Sequence, residues 1–179
     1  MKDNAIENVS PEQALEILKR LAKDDSPAIR KQIEREAERV LKTVDVEEVC
    51  EEVYSALDGI DVHELWDRSG AGRDGYCGPE EMAVEMMEEE LEPFSSQVFR
   101  YLEMGMANEA KLYCMGVLKG IYQYEQESQS EFKDWAADIP GDSFDCLLSD
   151  WKKKAADADN HKEMREFVNK ECGKWGKGR

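Results

Sequence analysis

The sequence predicts an all-α protein, with antiparallel helix pairs stacked as a right-handed α-α superhelix. Three observations lead there. Apolar residues recur at three- and four-residue steps through most of the chain, the period of a helix with one buried face. Helix starts are marked repeatedly by Ser or Asp followed by Pro or by acidic residues. No stretch sustains the one-in-two alternation of a half-buried strand.

Ser10-Pro11-Glu12-Gln13 places a hydroxyl at the N-cap, Pro at the first helical position and Gln at the third, a capping box. Ala14, Leu15, Ile17, Leu18, Leu21 and Ala22 follow as one stripe, which Asp24-Asp25 ends. Ser26-Pro27 opens a second helix with Ile29, Ile33, Ala37, Val40, Leu41 and Val44 as its expected buried face. Its other positions carry mixed charge, as a solvated helix back does. Asp45-Val46-Glu47-Glu48 caps a third helix bearing Val46, Val49, Cys50, Val53 and Leu57, which stops at Asp58-Gly59. A short element from Asp61 to Asp67 directs Val62, Leu65 and Trp66 inward.

Residues 68–79 form a Gly-rich segment containing Gly70-x-Gly72-x-x-Gly75, formally a dinucleotide fingerprint. The motif needs a strand feeding it and a helix starting within it, so that pyrophosphate meets the helix N-terminus. A helical segment precedes it here and the next helix starts only at Pro79, so the expectation is a loop. Pro79 opens an acidic helix with Met82, Ala83, Met86, Met87 and Leu91 inward. The Met stripe suits a core or an adaptable groove. Glu88, Glu89, Glu90 and Glu92 fan around the cylinder, and Pro93 is expected to break or kink it.

Residues 94–124 predict two helices joined at Gly105, a central hairpin on which the others pack. Gly116 and Gly120, one turn apart, clear a line along which another helix can approach closely. Beyond it, Phe132, Trp135, Ala136 and Ile139 point inward. Residues 138–141 form a turn, and Asp142 caps a helix with Phe144, Leu147, Leu148 and Trp151. A last helix, capped near Asn160, carries Met164, Phe167 and Val168. The expected organisation is an N-terminal tail (residues 1–9), one helical-repeat domain (10–173) and a mobile basic tail (174–179).

With 179 residues, 41% of them hydrophobic and 36% charged, the chain suits one globular domain. It has no run apolar enough to span a bilayer, and its first ten residues do not read as a secretory signal. Cys50, Cys77, Cys114, Cys146 and Cys172 are odd in number and lie 26 to 37 residues apart. They therefore suggest neither a local zinc site nor a disulfide framework, and a reducing cytoplasm is the expected setting. The formal charge is −17, with residues 59–150 carrying 21 acidic and 6 basic groups and residues 151–179 carrying 5 and 9. That field disfavours nucleic acid and anionic membranes and favours a basic partner.

Chemistry finds little purchase. His63-Glu64-x-x-Asp67 lacks the second His of a zincin helix, and His161 lies in a helix start among Lys162 and Arg165. Neither G-x-S-x-G, a P-loop lysine motif nor an EF-hand spacing occurs. The residues assign no catalytic, cofactor-binding or metal-ligating set. Trp151-Lys152-Lys153-Lys154 and Lys174-Trp175 set aromatics beside cations, the combination that binds single-stranded nucleic acid, although a solvated lysine run is the simpler reading.

LWDRSGAGRDGYCGPEEMA, FRYLEMGMANEAKLYCMGVLKGIYQYE and FKDWAADIPGDSFDCLL resemble the helical region that accompanies SWIM-type zinc-finger motifs in bacterial and archaeal proteins. The resemblance covers roughly residues 46–151. Its CxCxnCxH zinc signature is absent, so no metal or nucleic-acid role passes to any residue. More broadly, the helix pairs resemble TPR and HEAT repeats, with Gly105 and Ala110 at a hairpin turn and residues 26–30 as a HEAT-like helix start, without a fixed period. The expected function is a non-enzymatic protein-interaction scaffold that presents a concave face to a peptide or helix. Two alternatives stand beside it, an accessory module of a nucleic-acid-associated complex and an enzyme with a spatially assembled carboxylate site.

Overall fold

A computed structural model describes residues 9–23, 26–72 and 75–176. The N-terminal tail over residues 1–8, the break at Asp24-Asp25 and the last three residues of the basic tail lie outside the described residues. The fold is all-α. The chain forms two compact units that divide between Thr43 and Val44, a boundary that the sequence reading did not place.

The first unit holds α1 (Pro11–Ala22) and α2 (Pro27–Leu41). The capping box at Ser10 is present in full. Its hydroxyl accepts from the Gln13 backbone N–H at 3.3 Å while the Gln13 side chain accepts from the Ser10 N–H at 3.0 Å. The expected buried stripes are not buried. No residue of either helix is fully enclosed, and Leu15, Leu18 and Val40 are at least half exposed. The helices touch each other, but two short helices alone cannot cover two apolar faces.

The second unit contains α3 (Val46–Asp58), α4 (Val62–Arg68), strands β1 (Gly70–Gly72) and β2 (Gly75–Cys77), α5 (Pro79–Glu103) and α6 (Ala107–Glu127). After a 3-10 turn over Glu131–Trp135 come α7 (Ile139–Lys154), α8 (Ala158–Glu171) and α9 (Gly173–Gly176). α6 is the hub, packed by α3, α5, α7 and α8. It is apolar on several sides, with Cys114, Val117, Leu118, Ile121 and Tyr124 enclosed, as a helix surrounded by others requires.

The α5–α6 corner turns at Gly105, as expected. Its φ of +73° is a left-handed conformation that glycine adopts without strain. The Gly105 N–H donates to Leu102 O at 3.0 Å and the Met106 N–H to Tyr101 O at 2.9 Å, the two bonds of a Schellman motif. The glycine line on α6 also has its predicted use. A Cβ on Gly116 would fall 2.6 Å from Val49 Cβ, so α3 lies directly on this face.

Five expectations about the second unit are corrected. Trp66, expected to point inward, is 51% exposed. The Gly-rich loop is a β-hairpin, with Gly70 opposite Cys77 and Ala71 opposite Tyr76. Pro93 does not break α5, which runs 25 residues because Leu91, Val98 and Tyr101 hold both halves in the core. α7 and α8 start earlier than predicted, at Ile139 with Pro140 in the first turn and at Ala158 with Asp157 capping. Residues 173–176, expected in or beside a mobile tail, form α9. Trp175 sets its ring edge-on to Tyr122 (5.3 Å) and Phe144 (5.1 Å). Met82, Met86 and Met87 all belong to the core.

Polar ties join the second unit's helices. Lys111 is buried on α6 and pairs with Glu163 of α8. Lys119 bridges Glu47 of α3 (2.6 Å) and Glu171 of α8 (3.6 Å). The buried Ser128 hydroxyl donates to Asp58 at 2.6 Å, fixing the end of α3 against the turn after α6.

Candidate functional site

The acidic helix α5 and α7 diverge enough to leave a groove of about 500 Å³. α5 contributes Val84, Glu88, Leu91, Glu92, Ser95 and Phe99, spaced so that all lie along one helical face. α7 supplies Ile139, Asp142, Ser143, Cys146, Leu147 and Asp150 in the same way, and Ile121 of α6 closes the floor. From Val84 to Phe99 the wall runs roughly 22 Å at 1.5 Å per residue, about four helical turns.

Floor and rim differ in character. Leu91, Ile121 and Leu147 are buried at the bottom, with Phe99 half-buried at one end. Glu88, Glu92, Asp142 and Asp150 stand along the edges. Among the described residues Glu88 and Asp142 enter no ion pair. Glu92 accepts from the Ser96 hydroxyl at 2.5 Å. Asp150 accepts from Lys153 at 2.7 Å, and this bond holds its carboxyl below the usual range. The next lysine, Lys154, sits 3.8 Å from the centre of the Phe99 ring. This end of the groove therefore already accommodates cations, over an aromatic face and against a carboxylate.

The glutamates of α5 fan around the helix, and the fan decides their roles. Glu89 points away from the groove and accepts two bonds from the Arg68 guanidinium, at 2.8 and 2.9 Å, clamping α4 onto α5. That bidentate pairing lowers the Glu89 carboxyl and raises Arg68. A second, more polar depression of about 490 Å³ lies beside the β-hairpin, between Arg68, Tyr76, Cys77 and Glu81. The formal dinucleotide motif lies there in an antiparallel hairpin, without the strand-to-helix turn that such a motif needs.

The residues weighed for chemistry are dispersed. His63 is exposed on α4, whereas His161 Nε2 lies 2.6 Å from Ala155 O and its ring is 5.4 Å from that of Trp151. Burial pushes the Cys50 thiol up to about 11 and that of Cys172 up to about 12, and raises Cys114 further. Such thiols stay protonated at neutral pH and are poor nucleophiles. Among the described residues no group of three or more His, Cys, Asp or Glu is placed to hold a metal ion. None of their helices is long and apolar enough to cross a membrane.

The aromatics beside the lysine runs are spoken for. Trp151 is fully buried, and Trp175 is wedged between Tyr122 and Phe144. The sequence reading missed the groove because the residues of its two walls lie 40 or more positions apart in the chain. The one local signal was the face Val84, Glu88, Leu91, Glu92, Ser95 and Phe99.

No protein-family model, curated protein or solved structure matches the chain.

Proposed function

We propose that the second unit is an interaction scaffold whose α5–α7 groove docks a basic amphipathic segment, a helix or extended peptide of another protein. One observation carries this reading: an apolar floor of Leu91, Ile121 and Leu147 bordered by four carboxylates. A partner helix laid in such a groove buries its apolar face and sets Lys or Arg on the rim. Docking there requires α5, α7 and their acidic edge, and does not require a right-handed superhelix of repeats. Burial of Trp151 and packing of Trp175 leave neither indole free to stack a nucleotide base, which favours a protein partner over the nucleic-acid role that the SWIM-type resemblance suggests. The dispersed histidines and protonated thiols favour a binding role over a catalytic one.

The test is an anisotropy titration with a fluorescein-labelled helical peptide of alternating Leu and Lys faces. Saturable binding that weakens as salt rises is expected. Glu88→Lys with Glu92→Lys should reduce affinity at least about tenfold, the order expected from losing charge complementarity along one wall. Glu64→Lys, outside the groove, should leave it unchanged. Equal affinity of the Glu88/Glu92 variant and the parent would sink the reading, as would saturable binding of single-stranded RNA in place of the peptide.

A further inference from the structure

The α5–α7 groove has a direction as well as a shape. The 3-10 turn over Glu131–Trp135 packs on α4 and α5, and Trp135 sets its ring edge-on to that of Trp66 on α4, 4.9 Å away. Because Arg68 fastens α4 to Glu89, the chain enters α7 beside the first half of α5. It leaves α7 at the opposite end of the groove, where Lys154 lies over the Phe99 ring. The two walls therefore run parallel, and each end of the groove gathers like ends of both helices.

Charge is divided between those ends. Residues 79–92 of α5 and 139–146 of α7 carry nine acidic side chains and no basic one. Residues 93–103 and 147–154 carry two acidic side chains and four basic ones. These are full charges, so they outweigh the macrodipoles of the walls, each about half a unit charge at either end. At the acidic end Glu88 and Asp142 enter no ion pair among the described residues, whereas at the other end Asp150 is already held by Lys153. A segment basic along its whole length is attracted at the first end and repelled at the second.

We propose that the occupant of this groove is a helix with an acidic first turn and a basic last turn, lying antiparallel to α5 and α7. The inference rests on the docking role given to the groove above, and it names the partner's charge pattern and orientation. Acidic residues in the first turn of a helix and basic ones in the last complement its own macrodipole. A helix built in that way matches the groove in one direction, with its last turn against Glu88 and Asp142 and its first turn against Lys153 and Lys154. Its central apolar face then covers Leu91, Ile121 and Leu147. About 15 residues, at 1.5 Å each, span the roughly 22 Å of the wall.

The test uses the full chain and two hydrocarbon-stapled peptides of equal composition, so that both stay helical. One carries Glu in its first turn and Lys in its last, the other the reverse, around the same Leu face. The first should bind at least about tenfold more tightly, the order that charge complementarity along an interface supplies. A benzophenone on its last turn should cross-link near Glu88 and Asp142, and one on its first turn near Phe99 and Lys154, as mapped by mass spectrometry. Lys153→Glu with Lys154→Glu should weaken this peptide and strengthen a uniformly basic Leu/Lys peptide, two changes of opposite sign. A reversed cross-link map, or equal affinity of the two stapled peptides, would overturn the orientation while leaving docking in the groove intact. Failure of every peptide to bind would remove the docking role, and this inference with it.

Discussion

Gly120 of α6 stands so close to Val53 of α3 that a methyl group on the glycine would lie 2.7 Å from the valine Cβ. The same methyl would be 2.7 Å from the Cys50 carbonyl oxygen, which belongs to the α3 backbone and cannot rotate away. Gly120→Ala gains up to about 1 kcal/mol of helix propensity, but overpacking of a filled core costs about 1–3 kcal/mol. The expected net result is destabilisation. Gly141→Ala on α7 is the matched control, since its methyl would meet nothing closer than a Trp175 ring atom at 3.9 Å. Urea denaturation should place the Gly120 variant below the parent and the Gly141 variant at or above it.

Lys111 and Glu163 share an ion pair of unequal burial. The lysine is 5% exposed, whereas the glutamate side chain reaches solvent. Removing the carboxylate leaves a buried ammonium without its partner, a loss on the order of 1–3 kcal/mol. Replacing the lysine by methionine keeps the volume and removes the charge, and such exchanges are often neutral. Glu163→Ala should therefore lower the urea midpoint more than Lys111→Met does. The opposite order would show that the pair is dispensable and the lysine stem carries the packing.

Pro93 is exposed inside α5, where it withholds the N–H that would bond the Glu89 carbonyl. A helix-interior proline is about 3 kcal/mol less favourable than alanine. Pro93→Ala should therefore raise stability, by up to about 3 kcal/mol. A higher thermal midpoint with unchanged far-UV ellipticity is the expected reading. A fall in the midpoint would mean that the proline sets a bend on which α7 depends.

These cases mark what the residues disclosed and what they hid. Ser10, Asp45 and Asp61 announced their helices, because caps act through bonds to neighbours two or three positions on. Gly105, Gly116 and Gly120 were legible for a similar reason, since a missing side chain has few other uses. Pro93 misled because local propensity was outweighed by tertiary packing on both sides of it. The β-hairpin was hidden because two three-residue strands are too short to show a period of two. The stripes on α1 and α2 declared that something must cover them, but periodicity does not name the cover. Lys111 gave no signal at all, since burial of its stem depends on α8, some 50 positions away. The groove lay between these extremes, with each wall written on one helix and their juxtaposition written on neither.

The thiols offer a prediction that separates surface from core. Cys146 is exposed on α7, Cys77 is half-buried in the hairpin, and Cys50, Cys114 and Cys172 are enclosed. At neutral pH Ellman's reagent should label Cys146 rapidly and Cys77 more slowly. The other three should react only as fast as the fold opens, because both access and thiolate are lacking. Alkaline titration tests the same burial in another way. Cys50 is raised from 9.0 to about 11 and Cys172 from 9.0 to about 12 in the folded chain, chiefly by desolvation. Between those values the unfolded chain releases thiol protons that the folded chain keeps, so the unfolded state gains from each rise in pH. This contribution to stability is complete below pH 9 and is lost as pH climbs through 11 and 12. Cys50→Ala should flatten the decline in the urea midpoint above pH 9, whereas Cys146→Ala should leave the slope as it is. An equal slope in the parent and the Cys50 variant would mean that the thiol is solvated and that α3 does not seal it against α6.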